Sequence, residues 1–274
     1  MIDIILLFRE ALYGALVIGL ACSVLGVYVV LRRIVFVGAA LAQISSAGIA
    51  LALFLAGFGI EAFGLTSHPV ALSLVVTLLA AMLFAGGTQR RLPPDASIGM
   101  AYALAAAIGI LLIAKATSGE AHDIFLSGNI LGITRTDTMV LLAVSVPVLL
   151  VHVAFYKEFL FVSFDQETAR TLGYRVMFWN LLLYFTLGLV IAVAMQFAGV
   201  LLVFNFLVLP AVTGLLVSRS MGGMFAVAVG AGLVAAAVGF SLSVPFDLPT
   251  GPTIILVSGV LALLAWLIRL AQRR

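Results

Sequence analysis

The side chains able to do chemistry in this sequence are few, and most sit in apolar surroundings. Gln43, Ser45 and Ser46 lie inside an apolar run at 37–57, and Asn205 lies inside another at 197–218, five residues before Pro210. A neutral amide or hydroxyl at membrane depth either bonds a neighbouring helix or lines a path for a polar solute, and the residues leave both readings open. Pro210 is expected to interrupt its run. Broken helices occur where transporters bind or gate, and plain kinking is the alternative. Gln196 and Asn205 would share a helix face only loosely. Three histidines are present. His68 precedes Pro69, His152 falls near the end of a run and is expected to be packed, and His122 stands beside Glu120 and Asp123. Imidazole and carboxylates suit a divalent metal, so Glu120, His122 and Asp123 are weak candidate ligands, with a solvated polar loop as the alternative.

Several chemistries are missing. The sequence contains no GxxxxGK[ST] phosphate loop, so the chain is not expected to hydrolyse ATP, and it has no HExxH, GxSxG or CxxC. Its single cysteine, Cys22, lies in an apolar run and offers neither an intrachain disulfide nor a thiolate zinc site. No Asp or Glu falls in the middle of an apolar run. That removes an intramembrane aspartyl dyad and disfavours a proton-driven antiporter. An enzyme is not expected, and no cofactor is expected on this chain.

The elements that must position these groups follow from composition. Of the 274 residues, 64% are hydrophobic and 9% charged, and the mean hydropathy is +1.30. A soluble surface cannot be built from so few charges, so lipid is the main solvent. A net charge of +3 gives no case for nucleic acid. Long unbroken apolar runs exclude the alternating pattern of a β-barrel. The expectation is an all-α, polytopic bundle of about eight or nine spans, forming one domain over 1–274. Candidate spans fall near 12–31, 37–57, 68–86, 98–116, 136–156, 175–196, 197–218, 221–245 and 251–270, with a tight hairpin or re-entrant pair near Gln196–Gly199.

Charge orients this bundle. With the N-terminus outside, the inner segments hold Arg32, Arg33, Arg90, Arg91, Lys157, Arg170, Arg175, Arg219, Arg269, Arg273 and Arg274, against Arg9, Lys115 and Arg135 outside. Eleven against three is a strong positive-inside bias.

Three segments carry further signals. Gly38, Ala42, Ser46 and Ala50 recur every four residues, a small-residue stripe that lets another helix approach closely, with Gln43 on its flank. The outer segment 117–137 holds a short apolar stretch, expected as an interfacial or re-entrant helix. The inner segment 157–175 contains Asp165, Glu167, Ala169, Arg170, Leu172 and Gly173. Asp165 is placed to N-cap a short helix, Glu167 falls in its first turn, Arg170 in its last, and Gly173 ends it.

With these pieces in order, the chain resembles the permease subunit of bacterial zinc, manganese and iron ABC importers. The likeness is carried by Gly26–Arg33 with Phe36–Gly38, Asp95–Gly99, Phe125–Leu131, Asp165–Gly173, Gly199–Val203 with Leu209–Ala211, and Asp247–Pro252. The resemblance implies an inner-membrane permease homodimer in lipid and a separate cytosolic ATPase subunit that uses ATP. It also implies an extracytoplasmic solute-binding protein. Asp165–Gly173 would be the helix that couples to the ATPase. The cargo would be a divalent metal ion or metal complex; on the path-lining reading of the polar residues given above, Gln43, Ser45, Ser46 and Asn205 line its route.

One departure bears on the cargo. Such permeases typically carry aspartate, histidine and proline where this chain has Ala39, Gln43 and Ala47. Alanine has no donor atom, and a neutral amide is a poor zinc ligand. The resemblance therefore leaves the metal site unassigned. A stand-alone secondary transporter or channel for a small solute is the alternative function.

Overall fold

The computed structural model describes residues 8–58, 69–86, 93–115 and 130–272. The chain is helical throughout these residues. Helix α1 spans Arg9–Leu31, α2 Phe36–Gly57, α3 Pro69–Ala85 and α4 Pro94–Lys115. Both α3 and α4 open on proline, whose fixed φ suits a first helical turn and whose missing N–H costs nothing there. A single 3-10 turn at Ile130–Gly132 leads into α5, Arg135–Ala154. The start of α5 is fixed by a capping box: Thr134 and Asp137 satisfy each other's backbone N–H groups. Then follow α6 (Tyr156–Phe164), α7 (Gln166–Thr171), α8 (Val176–Val217), α9 (Met221–Ser243) and α10 (Thr250–Ala271).

Among the described residues, seven helices are long and apolar enough to cross a membrane. The expected eight or nine spans are not matched as a count, for two reasons. Helix α3 has 17 residues and falls short of a full crossing length. The sixth and seventh expected spans are one 42-residue helix, α8, interrupted by a single non-helical residue, Gly199 (φ 73°, ψ 168°). A straight helix of that length would run about 60 Å, twice the hydrocarbon thickness. Contacts show that it does not run straight. On the first arm Asn180 accepts from Arg32, just past the end of α1. On the second arm Leu215 accepts from Arg269, near the end of α10. Val27 near the end of α1 clusters with Ala211 of the second arm and Met224 at the start of α9. Both ends of α8 therefore lie at one end of the bundle, and the chain reverses at Gly199. The expected interruption at Pro210 is corrected: the backbone remains helical through it to Val217.

That shared end carries Arg32, Arg33, Lys157, Arg170, Arg175, Arg219 and Arg269, which makes it the inner face by the positive-inside rule. The core runs along α1, α2 and α8. Of their most apolar stretches, 67%, 56% and 72% of residues are buried, against 17% for α10, whose outer face meets lipid. The small-residue stripe of α2 does what its spacing predicts. A Cβ at Gly38 would come within 2.7 Å of Leu207 Cδ1, so the second arm of α8 rests directly on it. The segment after α5 differs from the expected loop: residues 156–164 form helix α6, whose Phe159 and Val162 are buried.

Candidate translocation path and coupling element

Helix α7 is short, and its ends define it. The Asp165 carboxylate accepts from the Glu167 and Thr168 N–H groups at 3.0 Å each and from Thr168 Oγ1 at 2.5 Å. The Thr168 hydroxyl, then the backbone N–H groups of Thr168 and Glu167, hold this carboxyl below its ordinary range. At the other end Gly173 adopts φ +86°. Its N–H donates to the Arg170 carbonyl, and the Tyr174 N–H donates to that of Ala169. These two bonds form a Schellman closure, which a positive-φ glycine makes possible. The N-cap and glycine stop expected from the sequence are both in place.

The two faces of α7 differ. Ala169 is fully buried in a cluster with Val162 and Val176. Glu167, Arg170 and Gly173 are exposed, and Leu172 is 65% exposed although it is a large apolar residue outside the bundle. Ala169 therefore belongs to the seat that holds α7, whereas Leu172, Glu167 and Arg170 face outward. The seat continues inward through aromatic rings. Phe159 stacks on His152 at 4.3 Å and meets Trp179 edge-on at 5.3 Å, while Tyr28 packs against His152 at 5.3 Å. His152 is 1% exposed, and its Nδ1 is 2.9 Å from the Val148 carbonyl oxygen, so it is a packed side chain, as expected.

The polar residues of the bundle separate by partner. Ser45 is fully buried and bonded to Ser73 of α3 at 2.8 Å, so its hydroxyl ties two helices together. Gln43 is 5% exposed and has no hydrogen-bond partner among the described residues. Ala39 and Ala47, at 9% exposure each, lie one turn to either side of it. The Ser46 hydroxyl is buried without a partner. Asn205 donates to Ser258 Oγ of α10 at 3.0 Å, while its Oδ1 is buried and unpartnered. A buried polar atom without a partner carries a desolvation cost of about 1–3 kcal/mol. Gln43, Ser46 and Asn205 thus retain unused hydrogen-bonding capacity inside the bundle.

The candidate ligands Glu120, His122 and Asp123 lie outside the described residues, as do His68 and most of the expected outer helix near 124–131. Among the described residues no three His, Cys, Asp or Glu side chains come together as a metal site. The Arg32 contacts to Ser163 and Asn180 join residues 131 and 148 positions apart and leave no local signal in the sequence.

Residues 5–269 match the ABC 3 transport family. The chain belongs to that family. Among its relatives, the manganese transport system membrane protein MntC of Halalkalibacterium halodurans is 31% identical over 94% of this chain and 86% of that protein. The manganese import system permease protein ScaB of Streptococcus gordonii is 30% identical over 97% and 92%. An uncharacterised membrane protein of Synechocystis, slr2045, is 33% identical over 97% and 90%. The solved structure of PsaBC from Streptococcus pneumoniae in complex with Fab matches at TM-score 0.80 and 28% identity, covering 94% of this chain and 90% of that one. A transporter solved in an inward-facing conformation, at 18% identity and TM-score 0.71, shares the fold. This ABC 3 family member is thus a multi-pass membrane transport subunit, and the resemblance read from its motifs holds over the whole chain.

Proposed function

We propose that this protein is the permease of an ATP-driven importer whose cargo is manganese. A separate ATPase subunit docks on α7, a solute-binding protein delivers cargo at the outer face, and two copies of the chain flank the path. The observation that carries this reading is the end-to-end likeness to PsaBC together with α7, a capped helix outside the bundle with an exposed apolar side chain. Manganese is also the cargo in the names of MntC and ScaB.

The path residues support a hard, oxygen-preferring ion. Gln43 offers an amide carbonyl oxygen, and carbonyl and water oxygens suit manganese better than zinc, which favours imidazole and thiolate. Ser46 and Asn205 add neutral oxygens with free capacity. With Ala39 and Ala47 beside Gln43, such an ion crosses this level holding most of its own water.

The test is reconstitution. The chain co-expressed with its ATPase subunit and placed in liposomes is expected to take up radioactive Mn2+ in the presence of ATP and the binding protein. Uptake that persists without ATP, or failure of the two subunits to co-purify, would overturn the reading and favour a stand-alone transporter.

A further inference from the structure

We propose that Arg32 is the positioning residue that passes displacement of α7 into the bundle, by a guanidinium that joins both flanks of α7 to the end of α1. This rests on the importer reading above and adds to it the route by which the ATPase moves the path.

The geometry is specific. Arg32 Nε donates to Ser163 Oγ at 2.9 Å, two residues before the Asp165 cap of α7. Arg32 Nη1 donates to Asn180 Oδ1 at 2.6 Å, on the first arm of α8 just beyond α7. The same residue caps α1, its N–H donating to the Tyr28 carbonyl. One side chain therefore holds the entry to α7, the exit from α7 and the last turn of α1. Six residues up α1, the backbone of Gly26 lies against Leu207, on the arm that also carries Asn205. Motion imposed on α7 thus has a continuous packed route to that arm.

The chemistry of the joint is unusual for a purely structural arginine. Arg32 is partly buried, and a guanidinium drawn out of water is normally paired with a carboxylate, often bidentately, because desolvating the charge is costly. Arg32 forms no ion pair among the described residues, where Arg9–Glu10 is the ion pair found. Its acceptors are a neutral hydroxyl and a neutral amide, and Nη2 is buried with no partner. Tyr184 lies within electrostatic reach of both Arg32 and Asp95. Bonds from a guanidinium to neutral acceptors carry no ion-pair attraction that would lock one geometry, and the idle Nη2 means that a shifted arrangement has a bond to gain. Two arrangements of similar energy are what a two-state joint requires.

The test uses the permease–ATPase complex in liposomes, with radioactive Mn2+ as the probe. Arg32→Gln and Ser163→Ala are compared with the parent for subunit stoichiometry, melting temperature, ATP hydrolysis and uptake. The expected result is intact assembly and continued hydrolysis, with Mn2+ uptake per ATP reduced about three- to tenfold. If Arg32 only stabilises the fold, hydrolysis and uptake fall together with the amount of folded complex, and the ratio stays constant. A constant ratio in both variants overturns the proposal. Should Arg32→Gln not accumulate, Ser163→Ala decides, because it leaves the Arg32–Asn180 bond in place. A parent complex without ATP-dependent Mn2+ uptake removes the importer reading itself, and this proposal with it.

Discussion

Gly26 of α1 and Leu207 of α8 touch backbone to backbone: a Cβ at position 26 would overlap the Leu207 carbonyl oxygen. No flexible side chain stands between them to give way. Gly26→Ala is therefore expected to push α1 off the second arm of α8, with a loss of about 1–3 kcal/mol, the usual range for overpacking. Gly230→Ala is the control, since nothing lies within 4 Å of its Cβ position. Melting curves of the two variants in detergent should separate clearly. Equal melting temperatures would mean that the two helices are not held in this contact.

Gly199 is the reversal point of α8, with φ 73° and ψ 168°. That region is open to glycine and closed to residues with a Cβ. Gly199→Ala is expected to cost about 1–3 kcal/mol through backbone strain. Ala198→Gly next to it removes a methyl group but imposes no forbidden dihedral, so it should be milder. Thermal stability and yield of folded protein would rank the two variants, and the opposite ranking would refute a strained reversal at 199.

Asp165 gives α7 a pH dependence whose sign can be worked out. Its folded-state pKa is lowered by the Thr168 hydroxyl and the N–H groups it caps. The cap's contribution is therefore complete above the ordinary carboxylate range and is lost as pH falls through and below it. Amide exchange at residues 166–171 should speed up on acidification. Asp165→Asn, which still accepts from the same N–H groups, should abolish that response while keeping the helix, and Asp165→Ala should weaken the helix at every pH. A parent protein whose exchange in this segment ignores pH would contradict the assignment.

Gln43 separates a path residue from a structural one. An amide already without a partner loses no bond on truncation, so Gln43→Ala should leave melting and ATPase association unchanged. Mn2+ uptake should fall severalfold if its carbonyl meets the ion. Pairing Ala39→Asp with Gln43→His puts a carboxylate and an imidazole one turn apart on one helix face. That pair should raise zinc retention in the purified protein relative to manganese. Unchanged uptake in Gln43→Ala would make the residue a bystander.

What was legible in the sequence divides along physical lines. Helix positions are legible in unbroken apolar runs, and the ends of α7 in Asp165 and Gly173, whose capping roles are set by neighbours within a few residues. Gly199 was marked as a place of reversal by the length of the apolar run around it. Pro210 misleads, because the interruption that proline predicts does not occur and the backbone stays helical through it. The fate of each polar residue was not legible. Ser45 is bonded to Ser73 and Gln43 is unbonded, although the two stand two residues apart on one helix. That difference depends on which helix packs on which face, which is long-range information. The Arg32 joint is hidden for the same reason.

The faces of α7 yield the last prediction. Leu172 is 65% exposed, and Ala169 is fully buried against Val162 and Val176. A substitution at each should break ATPase association by a different route. Leu172→Glu removes an exposed apolar contact and leaves the seat of α7 intact. Co-purification with the ATPase should drop about tenfold or more, as for a buried apolar anchor of an interface, while the permease melts as before. Ala169→Arg instead drives a charge between α6, α7 and the start of α8, so α7 should leave its seat, with faster amide exchange over 156–176. Protease cleavage near 165–175 should rise in Ala169→Arg and stay at the parent level in Leu172→Glu. Normal ATPase retention in Leu172→Glu would show that the partner docks elsewhere. Local unfolding in both variants would show that the two faces of α7 are not distinct.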